Sequence, residues 1–125
     1  MHEETNFVLD SIKDALNICG EHFVFDPQIK MHINSIFSAL HQMGAGPSAG
    51  FRVETGEETW SEFSSDSILI GLVKDYVFMR TKIVFDPPTS SFVLDALQKN
   101  ADELAWRINC YVDPGTEEED INDPG

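Results

Sequence analysis

The stretch from about residue 67 to residue 85 is apolar on almost every side, and it leaves the chain few ways to fold. Ile68, Leu69, Ile70, Leu72, Val73, Tyr76, Val77, Phe78, Met79, Ile83, Val84 and Phe85 are interrupted only by Lys74, Asp75, Arg80, Thr81, Lys82 and small residues. A helix of this kind needs cover all round. Two solutions are open: it is the central helix of a small domain, or its outer face meets another subunit. Asp86-Pro87-Pro88 ends it, because prolines cannot continue a helix and push the residue before them out of helical geometry. Gly71 costs roughly 1 kcal/mol in a helix interior and is expected to mark a close helix approach.

Three more helices are legible. Val8, Leu9, Ile12, Leu16 and Cys19 recur at three- and four-residue steps, with Asp10, Lys13, Asp14 and Asn17 on the wet face. This first helix should run from about residue 6 to 19 and stop at Gly20. The second opens with Asp26 as its cap and Pro27 at its first position, where a missing N–H costs nothing. Ile29, Ile33, Ile36, Phe37, Leu40 and Met43 form its stripe, and Gly44 stops it. The last is capped by Thr89, Ser90 or Ser91 and runs to about Val112. Its Leu94, Leu97, Ala101, Leu104, Ile108 and Tyr111 form a heptad seam, the pattern of a helix nearly parallel to its neighbours. Trp106 lies off that seam and is a candidate for an edge of the core or a subunit contact.

The expected fold is therefore all-α: a four-helix bundle-like domain, residues 1–112, followed by an acidic C-terminal tail, residues 113–125. Between the second and third helices lies a long connection, residues 44–66, of a length that is usually functional or disordered. Within it, Phe51-Arg52-Val53-Glu54 and Glu57-Glu58-Thr59-Trp60 flank Thr55-Gly56 and read as a small β-hairpin. The tail holds six acids and no base, together with two Pro-Gly pairs. It has too little apolar surface to fold alone and is expected to order against a partner.

The 125 residues fit one domain. Twenty-two acids against 8 bases give a formal net charge of -14, which repels nucleic acid rather than binding it. The acidic start, Met1-His2-Glu3-Glu4, is not that of a signal peptide, and no apolar run approaches the ~20 residues that span a bilayer. Cys19 and Cys110 lack metal-site spacing and read as reduced, packed thiols.

Catalytic motifs are superficial. Gly46-Pro47-Ser48-Ala49-Gly50 spells G-x-S-x-G, but a helix precedes it and no parallel sheet is available to carry a nucleophile elbow. Nor does it make a phosphate loop: no Lys-Ser/Thr follows, and Pro47 removes an amide. His32 and His41 are nine residues apart on one helix and point to opposite faces, so they cannot share a metal. His22 stands apart, before that helix. Residues 120–125 have a faint calcium-loop look but no bidentate Glu. The expectation is a non-enzyme with no cofactor and no metal.

Several motifs resemble those of head–tail connector (adaptor) proteins of tailed phages, of the type found in siphophages of Gram-positive bacteria. They are Phe85-Asp86-Pro87-Pro88 with Ser90-Ser91-Phe92-Val93-Leu94, Glu103-Leu104-Ala105-Trp106-Arg107-Ile108-Asn109, and His32-Ile33-Asn34-Ser35 through Gly44-Ala45-Gly46-Pro47 to Gly50-Phe51. The resemblance spans about residues 6–112. It implies a helical subunit, usually twelve to a ring, docked beneath the portal in the virion neck and made in the host cytoplasm. Such a ring extends the DNA channel and receives a stopper or tail-side completion protein. Double-stranded DNA passes through without specific binding, and no membrane is involved.

On that reading, residues 44–66 and the tail are the main partner-facing segments. Phe51, Arg52, Trp60, Glu117, Glu118, Glu119, Asp120 and Ile121 are candidate contacts within them, and Arg80 and Arg107 are candidates for ion pairs between subunits. The alternative is an acidic DNA mimic that inhibits a basic host enzyme. Net charge favours it, but the apolar wrap of the third helix does not.

Overall fold

A computed structural model describes residues 6–16 and 26–112. Five helices follow one another: α1 (Val8–Ala15), α2 (Asp26–Met43), α3 (Trp60–Phe63), α4 (Ser67–Phe85) and α5 (Ser91–Val112). No strand occurs among the described residues; the one bridge is antiparallel, between Phe7 and Thr59.

The apolar segment, α4, is the central helix, packed against α1, α2 and most extensively α5. Leu69, Val73, Tyr76, Val77 and Thr81 are buried, and Ile70, Leu72, Phe78, Met79, Ile83 and Phe85 pack partly against the core. Ile68 and Val84, near its two ends, stay exposed. Asp66 caps its start by accepting from the N–H groups of Ile68 and Leu69. Gly71 does not mark a close helix approach: no atom lies within 4 Å of where its Cβ would be. It sits on the exposed side of α4, so its expected role is corrected.

The stripe on α1 buries Val8, Leu9, Ile12 and Leu16, and that on α2 buries Ile29, Ile33, Ile36, Phe37 and Leu40. Each large member is worth about 1.5–3 kcal/mol before ordering entropy is subtracted. The far end of the first predicted helix, with Cys19 and Gly20, and the cap expected of Asp26 lie outside what is described. The stop at Gly44 is a Schellman motif. Ala45 N–H donates to Leu40 C=O and Gly44 N–H to His41 C=O, with Gly44 at φ 99° and Ala45 buried against the core. Ser90 is the cap of α5, accepting from Val93 N–H at 3.3 Å. The α5 seam faces inward, burying Ala101 and Ile108 fully and Leu94, Leu97 and Leu104 in part.

The expected hairpin does not form. Its two arms are pulled to other partners instead of each other. Val53 is held by Asn34, whose side chain donates to Val53 C=O (2.9 Å) and accepts from Val53 N–H (2.7 Å). The second arm pairs with the chain ahead of α1: Val8 N–H donates to Glu58 C=O (2.8 Å) and Trp60 N–H to Asn6 C=O (3.0 Å). The turn between them closes on a side chain. Glu58 accepts from the N–H groups of Glu54 (2.8 Å), Thr55 (3.0 Å) and Gly56 (3.0 Å). A buried side-chain amide and a carboxylate thus supply what a ladder would have supplied.

Candidate interaction surfaces

The long connection wraps an aromatic cluster at one end of the bundle. Phe37 of α2 meets Phe51 at 4.9 Å between centroids, Phe63 at 5.3 Å and Trp60 at 6.2 Å. Short α3 exists because Thr59 and Glu62 form a capping box, Thr59 accepting from Glu62 N–H and Glu62 from Thr59 N–H. Its one turn drives Trp60 and Phe63 inward. Trp60 Nε1–H donates to Ser11 Oγ at 2.9 Å, which in turn donates to Val8 C=O, so the indole is satisfied where it is buried. The Phe63 ring lies against Gly46 so closely that a Cβ there would sit 2.6 Å from it.

Of the candidate contacts, Phe51 and Trp60 therefore belong to this chain's own cluster, and Trp60 is only 2% exposed. Arg52 is exposed and pairs locally with Glu54 at 3.1 Å. Arg107 is exposed and pairs with Glu103, one turn earlier on α5, at 3.2 Å. Arg80 lies over the Tyr76 ring, donates to its hydroxyl at 2.9 Å, and has no carboxylate partner among the described residues. Glu117, Glu118, Glu119, Asp120 and Ile121 lie outside the described residues. Among the described candidates only Phe51 and Trp60 come together, in the cluster around Phe37.

Two surfaces stand out, of which the sequence pointed only to Trp106 in the second. A polar cleft runs along Ser61, Glu62, Ser64, Ser65 and Asp66, closed on one side by Tyr111 and Val112. There Tyr111 O–H donates to Asp66 Oδ2 at 2.7 Å and fastens the end of α5 to the start of α4. That bond holds the Asp66 carboxyl below its usual range, helped by the Leu69 and Ile68 amides, and pushes the Tyr111 hydroxyl up. The second is an apolar depression between α4 and α5, lined by Leu72, Trp106, Arg107, Cys110 and Tyr111. Trp106 is 66% exposed there, as its position off the seam predicts, and Phe92 at the other end of α5 is 82% exposed. Apolar residues at non-seam positions were the available signal for this surface.

Ser48 of the G-x-S-x-G turn is exposed, with Gly50 N–H donating to Pro47 C=O beneath it. His32 is half-buried against Phe85 and its Nε2 meets the Arg80 carbonyl at 3.2 Å. Burial lowers its pKa below the ordinary value; the Arg80 carbonyl opposes this and the Arg80 charge adds to it. His41 is exposed. Among the described residues no group of three or more His, Cys, Asp or Glu could hold a metal ion, and no helix is long and apolar enough to cross a membrane.

Fold and surfaces together define a small all-helical protein whose distinctive features are faces for packing. A family model described as phage connector protein matches residues 8–115, and the chain belongs to that family. Comparisons with curated proteins and with solved structures gave no match. Membership gives the chain a structural role in connecting phage head and tail.

Proposed function

We propose that this chain is a non-enzymatic adaptor subunit that forms a ring of twelve copies beneath the portal in the virion neck. The ring extends the DNA channel and presents a platform to a stopper or tail-side completion protein. Membership of the connector family across nearly the whole folded part carries this reading. Charge supports it: copies at -14 each make an acidic collar, which gives DNA phosphates nothing to bind as the genome slides through. A ring contact is head to tail, so two different patches of each subunit must meet. Arg80, which has no carboxylate partner among the described residues, suits such a contact.

Electron microscopy of purified particles tests the reading directly. The expected result is a collar of this chain between portal and tail; particles that lack the polypeptide would overturn it. The tail is tested separately by a pull-down with assembled portal. Deleting residues 113–125 should weaken capture, and unchanged capture removes the tail from the account.

A further inference from the structure

The outer face of α5 carries a second heptad stripe, opposite the one that packs on α4. Phe92, Ala96, Lys99, Glu103, Trp106 and Cys110 follow at steps of four and three. The first five are exposed and Cys110 is half-buried. Steps of this kind place side chains on one side of a helix, the arrangement that seats a second helix. Trp106 and Cys110 border the depression shared with Leu72 of α4, and the rest of the stripe is exposed.

The order of residues along the stripe specifies the occupant. Two copies laid antiparallel through this outer face, with the two-fold axis level with Ala101 (which itself faces α4), bring Phe92 against the partner's Cys110, Ala96 against the partner's Trp106, and Lys99 against the partner's Glu103. Each large ring then meets a small side chain, and each charge meets its opposite. Antiparallel coiled coils pair the two core positions of the heptad in this alternating way. The parallel arrangement stacks Trp106 on Trp106, Lys99 on Lys99 and Glu103 on Glu103, which like charge disfavours. In the single chain Lys99 is held by Asp95 at 3.5 Å and Glu103 by Arg107 at 3.2 Å, both exposed pairs one turn apart that re-partner at little cost.

We propose that the free chain forms an antiparallel two-fold homodimer through this face of α5. One helix pair buries less surface than a standard stable interface, and two chains at -14 repel each other. The dimer is therefore weak and reversible, forming at about 10–100 μM and above. A two-fold contact uses one patch twice and closes on itself. If the ring of the proposed function stands, the pairing keeps stored subunits from assembling head to tail away from the portal; that consequence rests on the ring reading, and the dimer does not.

Sedimentation equilibrium of the full chain over that concentration range is the test, with circular dichroism confirming that each variant is folded. The wild type should move from one to two chain masses as concentration rises. Lys99→Glu and Glu103→Lys should each hold the chain at one mass, and the double exchange should restore two. A wild type that stays monomeric overturns the proposal, as does a dimer indifferent to Lys99→Glu or a double exchange that fails to restore pairing. No virion component enters this measurement, so its failure leaves the connector reading standing, and a failed search for the collar leaves the dimer standing.

Discussion

Thr81 is fully buried in α4, and its hydroxyl has no hydrogen-bond partner among the described residues. An unmet buried hydroxyl costs about 1–3 kcal/mol. Thr81→Val keeps the shape and removes the unmet group, so it should raise the thermal midpoint by a few degrees in calorimetry. Gly44 and Gly46 make a second comparison at this scale. Both have φ between 96° and 99°, so alanine at either pays for the left-handed conformation, about 1 kcal/mol. At Gly44 the nearest atom to a new Cβ is 4.0 Å away, whereas at Gly46 the Phe63 ring is at 2.6 Å. Gly46→Ala should therefore cost about 1–3 kcal/mol more than Gly44→Ala in urea unfolding.

Among the elements, the connection between α2 and α4 holds its shape through side chains placed inside it. Partial burial works against the charge on Glu58, but the N–H groups of Glu54, Thr55, Gly56 and Glu58 itself outweigh it and bring the carboxyl down to about 2. Its folded pKa lies below the unfolded value of 4.5, so its contribution is complete above pH 4.5 and disappears as pH falls toward 2. Water screens the loop, which limits the contribution to about 1 kcal/mol. Glu58→Gln should lower the urea midpoint at pH 7, and the gap from wild type should close between pH 4.5 and 2. The same region shows where sequence patterning stops. Alternation around Thr55-Gly56 looks like a hairpin, but Asn34 is nineteen positions from Val53 and Asn6 is fifty-four from Trp60, and no local pattern announces those partners. Thr59 and Glu62 carry the spacing of the capping box of α3, a local signal within the arm that alternation made look like a strand.

For the whole molecule, the apolar part of the chain is concentrated in a core shared by α1, α2, α4 and α5 with the aromatic cluster of α3. We propose that residues 113–125 act outside that core. Their deletion should leave the thermal midpoint within about 1 °C of wild type at matched concentration, a shift no larger than a surface change produces. A fall of several degrees would place the tail inside the folding unit. Periodicity was enough to determine the four long helices, the inward seam of α5 and the stops at Gly44 and Asp86-Pro87-Pro88, because caps, prolines and stripes act within a few residues of one another. Particular motifs, Phe85-Asp86-Pro87-Pro88 among them, carried the resemblance to the connector family. Tertiary structure alone decided that α4 sits at the centre, that Gly71 faces open space, that Trp60 is core, and that the long connection is bound by Asn34 and Glu58. Each of those outcomes depends on which distant segments share a space or a hydrogen bond in the fold, and spacing along the chain carries no record of it.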